Sequence, residues 1–328
     1  MTQIGLKSLN EYVDTYNRFL IVGHIDPDGD CISSILSLTY GLRRMKKTII
    51  SAIDSNCPAI YDDFQPSSQI AFAKEISEED FDAIITVDSS SPDRMGKYQE
   101  FRGKKPNFVI DHHVTNDLWG DHNWLDVEAS SAAEMVYRFL KESGIEFDPI
   151  LATVNLLGIQ TDTGFFKYTN TGWQVMEIAA ELIKQGANAP YNASMVLENN
   201  RVEEFYLLSE MSKKIQLTLD GALIFSFITL EMLEKTGCTN EDAGGLIGEL
   251  RSIKGVETAI LFTEMKKEEI KVSFRSKKWF DVAAIAIEYG GGGHPRASGC
   301  TIYKTMEQTI EEVVNKTRKQ MEEKKSKK

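Results

Sequence analysis

Four short runs of continuous apolar residues constrain the fold of this chain more than any other feature. The runs FLIV, TIISAI, DAIITVD and NFVID occupy Phe19–Val22, Thr48–Ile53, Asp82–Asp88 and Asn107–Asp111. Runs without polar alternation are typical of parallel strands that are buried on both faces. A segment with helical apolar spacing, CISSILSLTYGLRRM, follows the first run. The pattern predicts a doubly wound, mostly parallel α/β sheet.

The length of 328 residues indicates more than one domain. Further helices are predicted over Ser130–Ser143, Pro149–Gln160, Gly172–Gln185 and from Ala193 to about Leu217. A second, smaller α/β pattern begins near Gly221. We therefore predict a larger α/β domain over residues 1–190, a helical linker over 191–216 and a smaller α/β domain over 217–328.

Composition narrows the possible partners and the compartment. Lys and Arg number 37 against 49 Asp and Glu, and the net charge of -12 disfavours binding to long nucleic-acid duplexes. The four cysteines, Cys31, Cys57, Cys238 and Cys300, are far apart and read as reduced thiols, with no CxxC pair. No apolar run approaches the ~18 residues of a membrane span. We expect a cytoplasmic protein without a membrane partner.

Polar residues gather where the predicted strands end. They are His24, Asp26, Asp28, Asp30, Asp88, Asp111, His112 and His113, joined by Asp162 in the segment GIQTDTG. Parallel strands bring such residues to one sheet edge, where the carboxylates would repel each other unless a cation lay among them. Oxygen and imidazole ligands suit Mn²⁺ or Mg²⁺, with Fe²⁺, Co²⁺ or Zn²⁺ as alternatives. The number of ligands favours two ions, which would activate a water and polarise a phosphoryl group.

Each of these polar motifs also has a purely structural interpretation. PDGD is a common turn, and Asp28 or Asp30 would serve as the N-cap of a helix. The coincidence of three of the five histidines with aspartates at strand ends favours the metal site.

A glycine-rich segment, YGGGGHPRASGC, lies between a predicted helix and a predicted strand of the second domain. Gly290–Gly293 would let backbone N–H groups approach an anion, and His294, Arg296 and Arg275 would add positive charge. A run of four glycines alone is more often a flexible linker. Because structured elements flank the glycine run in this sequence, a binding site for a phosphate or nucleotide is favoured.

These segments resemble a known family. GHIDPDGDCISS, VDSSSPDR, DHHVTN and GIQTDTG look like motifs I to IV of the DHH phosphoesterase superfamily, and GGGGHPRASG looks like the signature of the DHHA1 domain. The resemblance spans nearly the whole chain. The two-domain size is similar to the nanoRNase type, which combines oligoribonuclease and 3′-phosphoadenosine 5′-phosphate phosphatase activities.

The resemblance implies specific roles. One metal ligand set would be His24, Asp28 and Asp88, and the other Asp30, Asp88, His112 and Asp162, with Asp88 bridging. Asp111 would orient a ligand imidazole, and His113 would face the substrate phosphate as a catalytic and substrate-binding residue. Arg94 is a structural or phosphate-side cation. Substrate binding in the second domain would use Gly291, Gly292, Gly293, His294, Arg275 and Arg296.

The implied reaction is hydrolysis of very short oligoribonucleotides, such as 5′-pApA from c-di-AMP turnover, to nucleoside 5′-monophosphates. The expected cofactors are two divalent cations, above all Mn²⁺, with Mg²⁺ or Co²⁺ as alternatives, and the implied assembly is a homodimer. Three motif I positions depart from the usual pattern, namely Asp26, Cys31 and Ser33, where the family usually has Asn, Ala and Gly. None of them removes an implied ligand.

Four other functions stay open at this point. They are 3′-phosphoadenosine 5′-phosphate phosphatase activity, direct hydrolysis of cyclic di-AMP, family II inorganic pyrophosphatase activity and a nonenzymatic nucleotide or RNA sensor. The GGGGHPRASG segment argues against the pyrophosphatase, which has a different second domain. The sensor predicts missing metal ligands, and none is missing.

Overall fold

The computed structural model describes residues 2–61, 64 and 75–326. It divides the chain into two compact units, Met1–Asn199 and Asn200–Lys328. The division falls inside the segment for which a helical linker is predicted. None of the helices in the described part of the chain has both the length and the apolar run needed to cross a membrane.

The first unit is built on a five-stranded parallel sheet in the order β2-β1-β3-β4-β5. Its strands are β1 (Arg18–Val22), β2 (Thr48–Ala52), β3 (Ala83–Val87), β4 (Asn107–Asp111) and β5 (His122–Leu125). Its helices are α1 (Thr2–Thr15), α2 (Gly29–Arg44), α3 (Ala132–Glu142), α4 (Pro149–Asp162), α5 (Trp173–Lys184) and α6 (Ala189–Leu197), with 3₁₀ segments at Ala59–Tyr61, Glu78–Asp80 and Pro92–Phe101. The predicted parallel α/β architecture is confirmed.

Alternate residues of the central strand enter two different cores. Phe19 and Ile21 pack in one core with residues of α1, α2 and α3. Leu20 and Val22 pack in another with the 3₁₀ segment Pro92–Phe101. Burial on both faces explains why the strand runs lack polar alternation. The order also places β1 beside β3, so the chain reverses direction across the sheet at that point, which is where open α/β sheets bind ligands.

The second unit holds a six-stranded sheet in the order β10-β11-β9-β8-β7-β6. Its strands are β6 (Gln216–Thr218), β7 (Leu223–Ile228), β8 (Thr258–Lys266), β9 (Glu269–Ser276), β10 (Gly292–His294) and β11 (Ala297–Ile302). Its helices are α7 (Val202–Ser212), α8 (Leu230–Thr236), α9 (Ile247–Ser252), α10 (Ala283–Glu288) and α11 (Met306–Ser326). Only β7 and β8 pair in parallel, so this sheet is mixed.

The prediction of one continuous helix from Ala193 to about Leu217 is wrong. The structure has α6 and α7 with a break between them, and Gln216–Thr218 forms β6. The break contains Asn199 and Asn200, whose short amide side chains compete with helical hydrogen bonds. Arg201 is extended at φ −79°, ψ 152° and starts α7 anew.

Candidate metal centre

The loop between β1 and α2 is held by its own aspartates. Asp28 is the N-cap of α2, and its Oδ1 accepts hydrogen bonds from the backbone N–H groups of Asp30 and Cys31, both at 3.1 Å. The structural interpretation of Asp28 as a cap is therefore correct. Capping uses only part of the acceptor capacity of a carboxylate, so Asp28 is still able to bind a cation.

Asp88 lies between two imidazoles at the end of β3. Its Oδ2 is 3.5 Å from Nε2 of His24, and its Oδ1 is 3.5 Å from Nε2 of His112. The side chain is buried, and Oδ1 has no hydrogen-bond partner within the described residues. Each oxygen thus faces a different imidazole, as in a carboxylate that bridges two cations.

The Oδ1 side of Asp88 collects the remaining predicted ligands. Nε2 of His112 lies 3.8 Å from Oδ2 of Asp30 and 3.7 Å from Oδ2 of Asp162. Nδ1 of His112 is 3.2 Å from the carbonyl of Ala129. A proton on Nδ1 would donate to that carbonyl and leave Nε2 as the lone-pair nitrogen facing the carboxylates.

The Oδ2 side holds His24 and Asp28. Nε2 of His24 is 3.8 Å from Oδ1 of Asp28. Nδ1 of His24 lies 2.8 Å from the carbonyl of Ile25 and 2.9 Å from Nη2 of Arg94. The backbone carbonyl of Arg94 also accepts from Ile25 N–H at 2.7 Å, so Arg94 braces this loop. All six predicted ligands therefore belong to one connected cluster.

Asp30 has hydrogen-bond partners in the backbone, which the sequence does not reveal. Its two oxygens accept hydrogen bonds from the backbone N–H groups of Ala132 and Ala133, at 2.7 and 2.8 Å. These groups belong to the first turn of α3, where N–H groups have no helical partner and the helix dipole favours negative charge. The segment SSAAE at the start of α3 predicts a helix start but carries no signal for the aspartate.

The buried carboxylates of this cluster repel one another, and their pKa values are shifted. Burial and the charges of Asp88 and Asp162 raise the pKa of Asp30 well above its usual range. Burial, together with Asp28 and Asp88, raises the pKa of Asp162 to about 7. Burial also opposes ionisation of Asp88, but its interaction with the nearby imidazoles of His112 and His24 holds its pKa well below the usual range. Divalent cations would relieve this repulsion and satisfy Oδ1 of Asp88, so the residues fit the predicted metal.

A buried chain of hydrogen bonds holds His113 beside the cluster. Its Nδ1 is 2.7 Å from Oδ1 of Asp111 and 3.6 Å from Oδ1 of Asp88. Oδ2 of Asp111 accepts from Nδ2 of Asn116 at 2.7 Å. The resemblance implies that Asp111 orients a ligand imidazole, whereas in the structure Asp111 contacts His113, and the carbonyl of Ala129 contacts the ligand candidate His112. Asn116 ends the motif DHHVTN, and the sequence alone does not indicate its role.

The three departures in motif I have different environments. The thiol Sγ of Cys31 is buried and accepts from the N–H of His24 at 3.3 Å. Ser33 is buried in α2. Asp26 is exposed and has a left-handed backbone at φ 53°. Asp88 shares that uncommon conformation at φ 54°, which non-glycine residues adopt mostly where function requires it.

The glycine-rich segment of the second unit is ordered rather than a flexible linker. The N–H groups of Gly290 and Gly291 donate to carbonyls of α10, so both N–H groups already have backbone acceptors. A Cβ at Gly291 would clash with the carbonyl of Gly299, and one at Gly293 would lie 2.5 Å from the carbonyl of Ala297. A Cβ at Gly292 would meet open space.

The predicted cations of the second unit lie around the same strands. His294 ends β10 and pairs with Ala297, which also pairs with Arg275 of β9. Nη1 of Arg296 donates to the carbonyl of Phe280 at 2.5 Å. Arg296 therefore has a structural contact in addition to any role in binding.

Two family models match the chain. The DHH family, N-terminal domain, matches residues 18–159, and the DHHA1 domain matches residues 220–323. The "Bifunctional oligoribonuclease and PAP phosphatase NrnA" of Bacillus subtilis is 31% identical over 300 residues, covering 89% of this chain and 91% of that protein. The protein of the same name from Thermus thermophilus is 30% identical over 306 residues, covering 92% and 89%.

Solved structures agree on the fold. An exopolyphosphatase-related protein from Bacteroides fragilis has a TM-score of 0.87 at 24% identity and covers 97% of this chain and 96% of its own. RecJ in complex with Mn²⁺ from Thermus thermophilus has a TM-score of 0.54 at 12% identity, covering 96% of this chain and 54% of that chain. With both domain matches and the full-length relatives, the chain belongs to the DHH family, in its DHHA1-containing branch together with the NrnA proteins.

Proposed function

We propose that this protein hydrolyses phosphodiester bonds in very short oligoribonucleotides, such as 5′-pApA, and releases nucleoside 5′-monophosphates. The observation that carries the proposal is Asp88, whose two buried oxygens face the Nε2 atoms of His24 and His112 at 3.5 Å each. Relatives that extend over nearly the whole chain are named as oligoribonucleases. The acidic chain disfavours long duplexes and is compatible with small anionic substrates.

The centre is proposed to hold two divalent cations, preferably Mn²⁺, with Mg²⁺ and Co²⁺ as alternatives. His24, Asp28 and Asp88 would hold one, and Asp30, Asp88, His112 and Asp162 the other. Bound cations supply Lewis-acid polarisation of the phosphoryl group and an activated nucleophile at neutral pH. Asp30 is also fixed by the N-terminus of α3, and this holds its carboxylate in place before any cation binds.

His113 is proposed to act on the leaving oxygen. Burial lowers its pKa, but the charge of Asp111 and the hydrogen bond to it raise the pKa above the ordinary value overall. With Nδ1 committed to Asp111, Nε2 is the atom that would donate a proton to the leaving group. Asp111 would orient the ring through that bond, and Asn116 would fix Asp111.

The second unit is proposed to hold the far phosphate or terminal nucleotide of the substrate. Support comes from the match to the DHHA1 domain and from Arg275, His294 and Arg296 on neighbouring strands. Gly292 is the glycine of this segment whose Cα faces open space without a positive φ. A ligand would be able to approach the backbone there.

The direct test is product release from pApA with Mn²⁺. Replacing Asp88 with Asn removes the bridging charge, and turnover should fall at least about 100-fold because even residues that only support metal ligands cost 10–100-fold. Mn²⁺ affinity, measured by titration calorimetry, should fall as well. Asp26→Asn is the matched control, since it lies in the same loop and is exposed. Full turnover in Asp88→Asn would refute the mechanism.

A second candidate activity is removal of phosphate from 3′-phosphoadenosine 5′-phosphate. The names of the relatives from Bacillus subtilis and Thermus thermophilus favour it, because both are called bifunctional. Phosphate release from that compound in the same preparations tests it. Direct hydrolysis of cyclic di-AMP has less support, since a cyclic substrate offers no terminal phosphate to the second unit. A nonenzymatic sensor would show binding without release of products.

Two further proposals concern the cellular setting. A cytoplasmic location is supported by the free, buried thiols of Cys31, Cys238 and Cys300, which suit a reducing compartment. A homodimer is proposed from the resemblance alone, and sedimentation or light scattering measures it.

A further inference from the structure

A pocket of about 280 Å³ lies beside the metal centre within the first unit. We define the aromatic pocket by Tyr61, Phe165, Lys167, Tyr168 and Leu197. Its wall also includes the proposed metal ligands Asp28 and Asp162. A molecule whose phosphate lies at the metals would therefore extend into this pocket.

The wall that follows Asp162 has an uncommon backbone. Gly164, Phe165 and Phe166 are three consecutive residues with positive φ, at 56°, 56° and 66°. Bulky side chains rarely adopt this left-handed conformation, and consecutive instances are rarer still. Such strain persists only where the surroundings enforce it, and it clusters at active sites and ligand clamps.

Hydrogen bonds enforce this turn from several sides. Phe165 N–H donates to the carbonyl of Gln160 at 2.6 Å, and Phe166 N–H donates to Oγ1 of Thr163 at 3.1 Å. Tyr168 N–H donates to the carbonyl of Thr163 at 3.0 Å. The turn is thus a rigid wall, joined directly to the end of α4.

The ring of Tyr168 is placed by a glycine. A Cβ at Gly164 would overlap the Tyr168 ring, so the ring lies against the backbone of the turn and cannot move further into it. The side chain is still 36% exposed. One edge of the ring is therefore fixed, and part of its surface is available to a ligand.

The lining identifies the class of ligand. Two tyrosines and a phenylalanine offer faces on which a planar base stacks, and Lys167 offers an ammonium group for phosphate. Among the described residues that line the pocket, none carries the amide side chain that reads adenine edges. The volume is near the lower limit for ligand pockets and suits one nucleoside rather than two.

We propose that the aromatic pocket binds the nucleoside next to the reacting phosphate, with its base stacked on Tyr168. Recognition is by stacking and therefore tolerates any of the four bases. This inference rests on the proposed function, since it places the reacting phosphate at the metal centre. It adds Phe165, Lys167 and Tyr168 to the residues that determine substrate preference.

The experiment compares binding of adenosine 5′-monophosphate and ribose 5-phosphate in the presence of Mn²⁺, by titration calorimetry. The full-length protein should prefer the nucleotide at least about fivefold, the lower range for one stacked base. Tyr168→Leu should lose that preference, whereas Tyr168→Phe should keep it. Tyr303→Leu is the control, because Tyr303 is 75% exposed and belongs to the second unit. Hydrolysis of bis(4-nitrophenyl) phosphate, which has no nucleoside, should be unchanged in Tyr303→Leu, and the affinity for Mn²⁺ should be unchanged in both Tyr168 variants.

Equal binding of the two ligands by the unchanged protein would overturn the proposal. A parallel loss of Mn²⁺ affinity in Tyr168→Leu would also overturn it, because Tyr168 would then merely support the metal centre. A separate assay of pApA cleavage distinguishes failure of the proposed function from failure of the proposed pocket. Preference for the nucleotide without cleavage of pApA would refute the proposed function alone, and cleavage without preference would refute the pocket alone.

Discussion

Asn116 extends the candidate site by one residue beyond its charged groups. Its amide fixes Oδ2 of Asp111 at 2.7 Å and donates to the carbonyl of Ser89 at 3.2 Å. Asp111 in turn contacts Nδ1 of His113. The orientation of His113 therefore depends on an amide that makes no contact with the predicted metal ligands among the hydrogen bonds described.

We predict that Asn116→Ala lowers kcat for pApA by about 10–100-fold, the usual cost of losing a group that orients a functional side chain. The affinity for Mn²⁺ should change little, because the ligand cluster keeps its own contacts. Steady-state kinetics and calorimetric Mn²⁺ titration measure the two effects.

Asn123→Ala provides a matched control for Asn116→Ala. Asn123 lies in β5, and its side-chain amide also bonds to loop backbone groups, those of Leu118 and Gly120. It should leave kcat unchanged. A large loss of Mn²⁺ affinity in Asn116→Ala would show that Asn116 supports the cluster as a whole instead of His113.

At the residue scale, the sequence identifies charged groups and misses their neutral partners. His24, Asp88 and His112 were predictable because they follow buried strands, which bring them to one edge. Two partners of Asp30 are the backbone N–H groups of Ala132 and Ala133, which have no side-chain signal. Tyr168 and its neighbours follow Asp162 without a recognisable motif.

At the element scale, the glycine-rich segment combines two requirements that the sequence alone does not separate. Gly291 and Gly293 lie against backbone carbonyls of β11, so β10 would not pair with β11 if either carried a side chain. Gly292 has no such neighbour within 4 Å. The run Gly290–Gly293 therefore contains glycines that the fold requires and one, Gly292, that leaves room for a ligand.

We predict that Gly291→Ala destabilises the protein by about 1–3 kcal/mol, the usual cost of forcing an extra methyl group into a packed site. Gly292→Ala should be neutral or slightly stabilising, because alanine loses less conformational entropy in a strand than glycine. Urea unfolding measures both. If Gly292→Ala also raises KM for pApA, the proposed approach of the substrate is supported, and an unchanged KM would contradict it.

Elements with strong apolar runs were predictable, and elements without them were not. β1, β3 and β4 match their predicted runs because burial on both faces demands continuous apolar residues. β5, with the sequence HNWL, is short and only partly buried, so it carries no such signal. α1 is not predicted from the sequence, and its first turn has no acidic residue to mark a helix start.

At the scale of the whole molecule, the two units should respond differently to cations. All proposed ligands lie in the first unit, and each unit has its own apolar core. Binding that is restricted to the folded state stabilises by mass action, about 2.7 kcal/mol at 100 times Kd.

We predict that saturating Mn²⁺ raises the Tm of the first unit by about 5–10 °C in calorimetry of the full chain, and that a chelator reverses this shift. The transition of the second unit should not move. In Asp88→Asn the shift should disappear. A shift that persists in that variant would place the bound cations elsewhere.

The spread of the ligands along the chain also has a consequence for synthesis. His24 follows β1, while Asp162 ends α4, after all five strands of the sheet. A nascent chain on the ribosome therefore carries most of the ligand set before the last ligand has emerged. Contacts between residues as far apart in the chain as His24 and Asp162 form late in folding, because the cost of closing the intervening loop must be met first. We therefore expect the metal to bind at the end of folding and not to nucleate it.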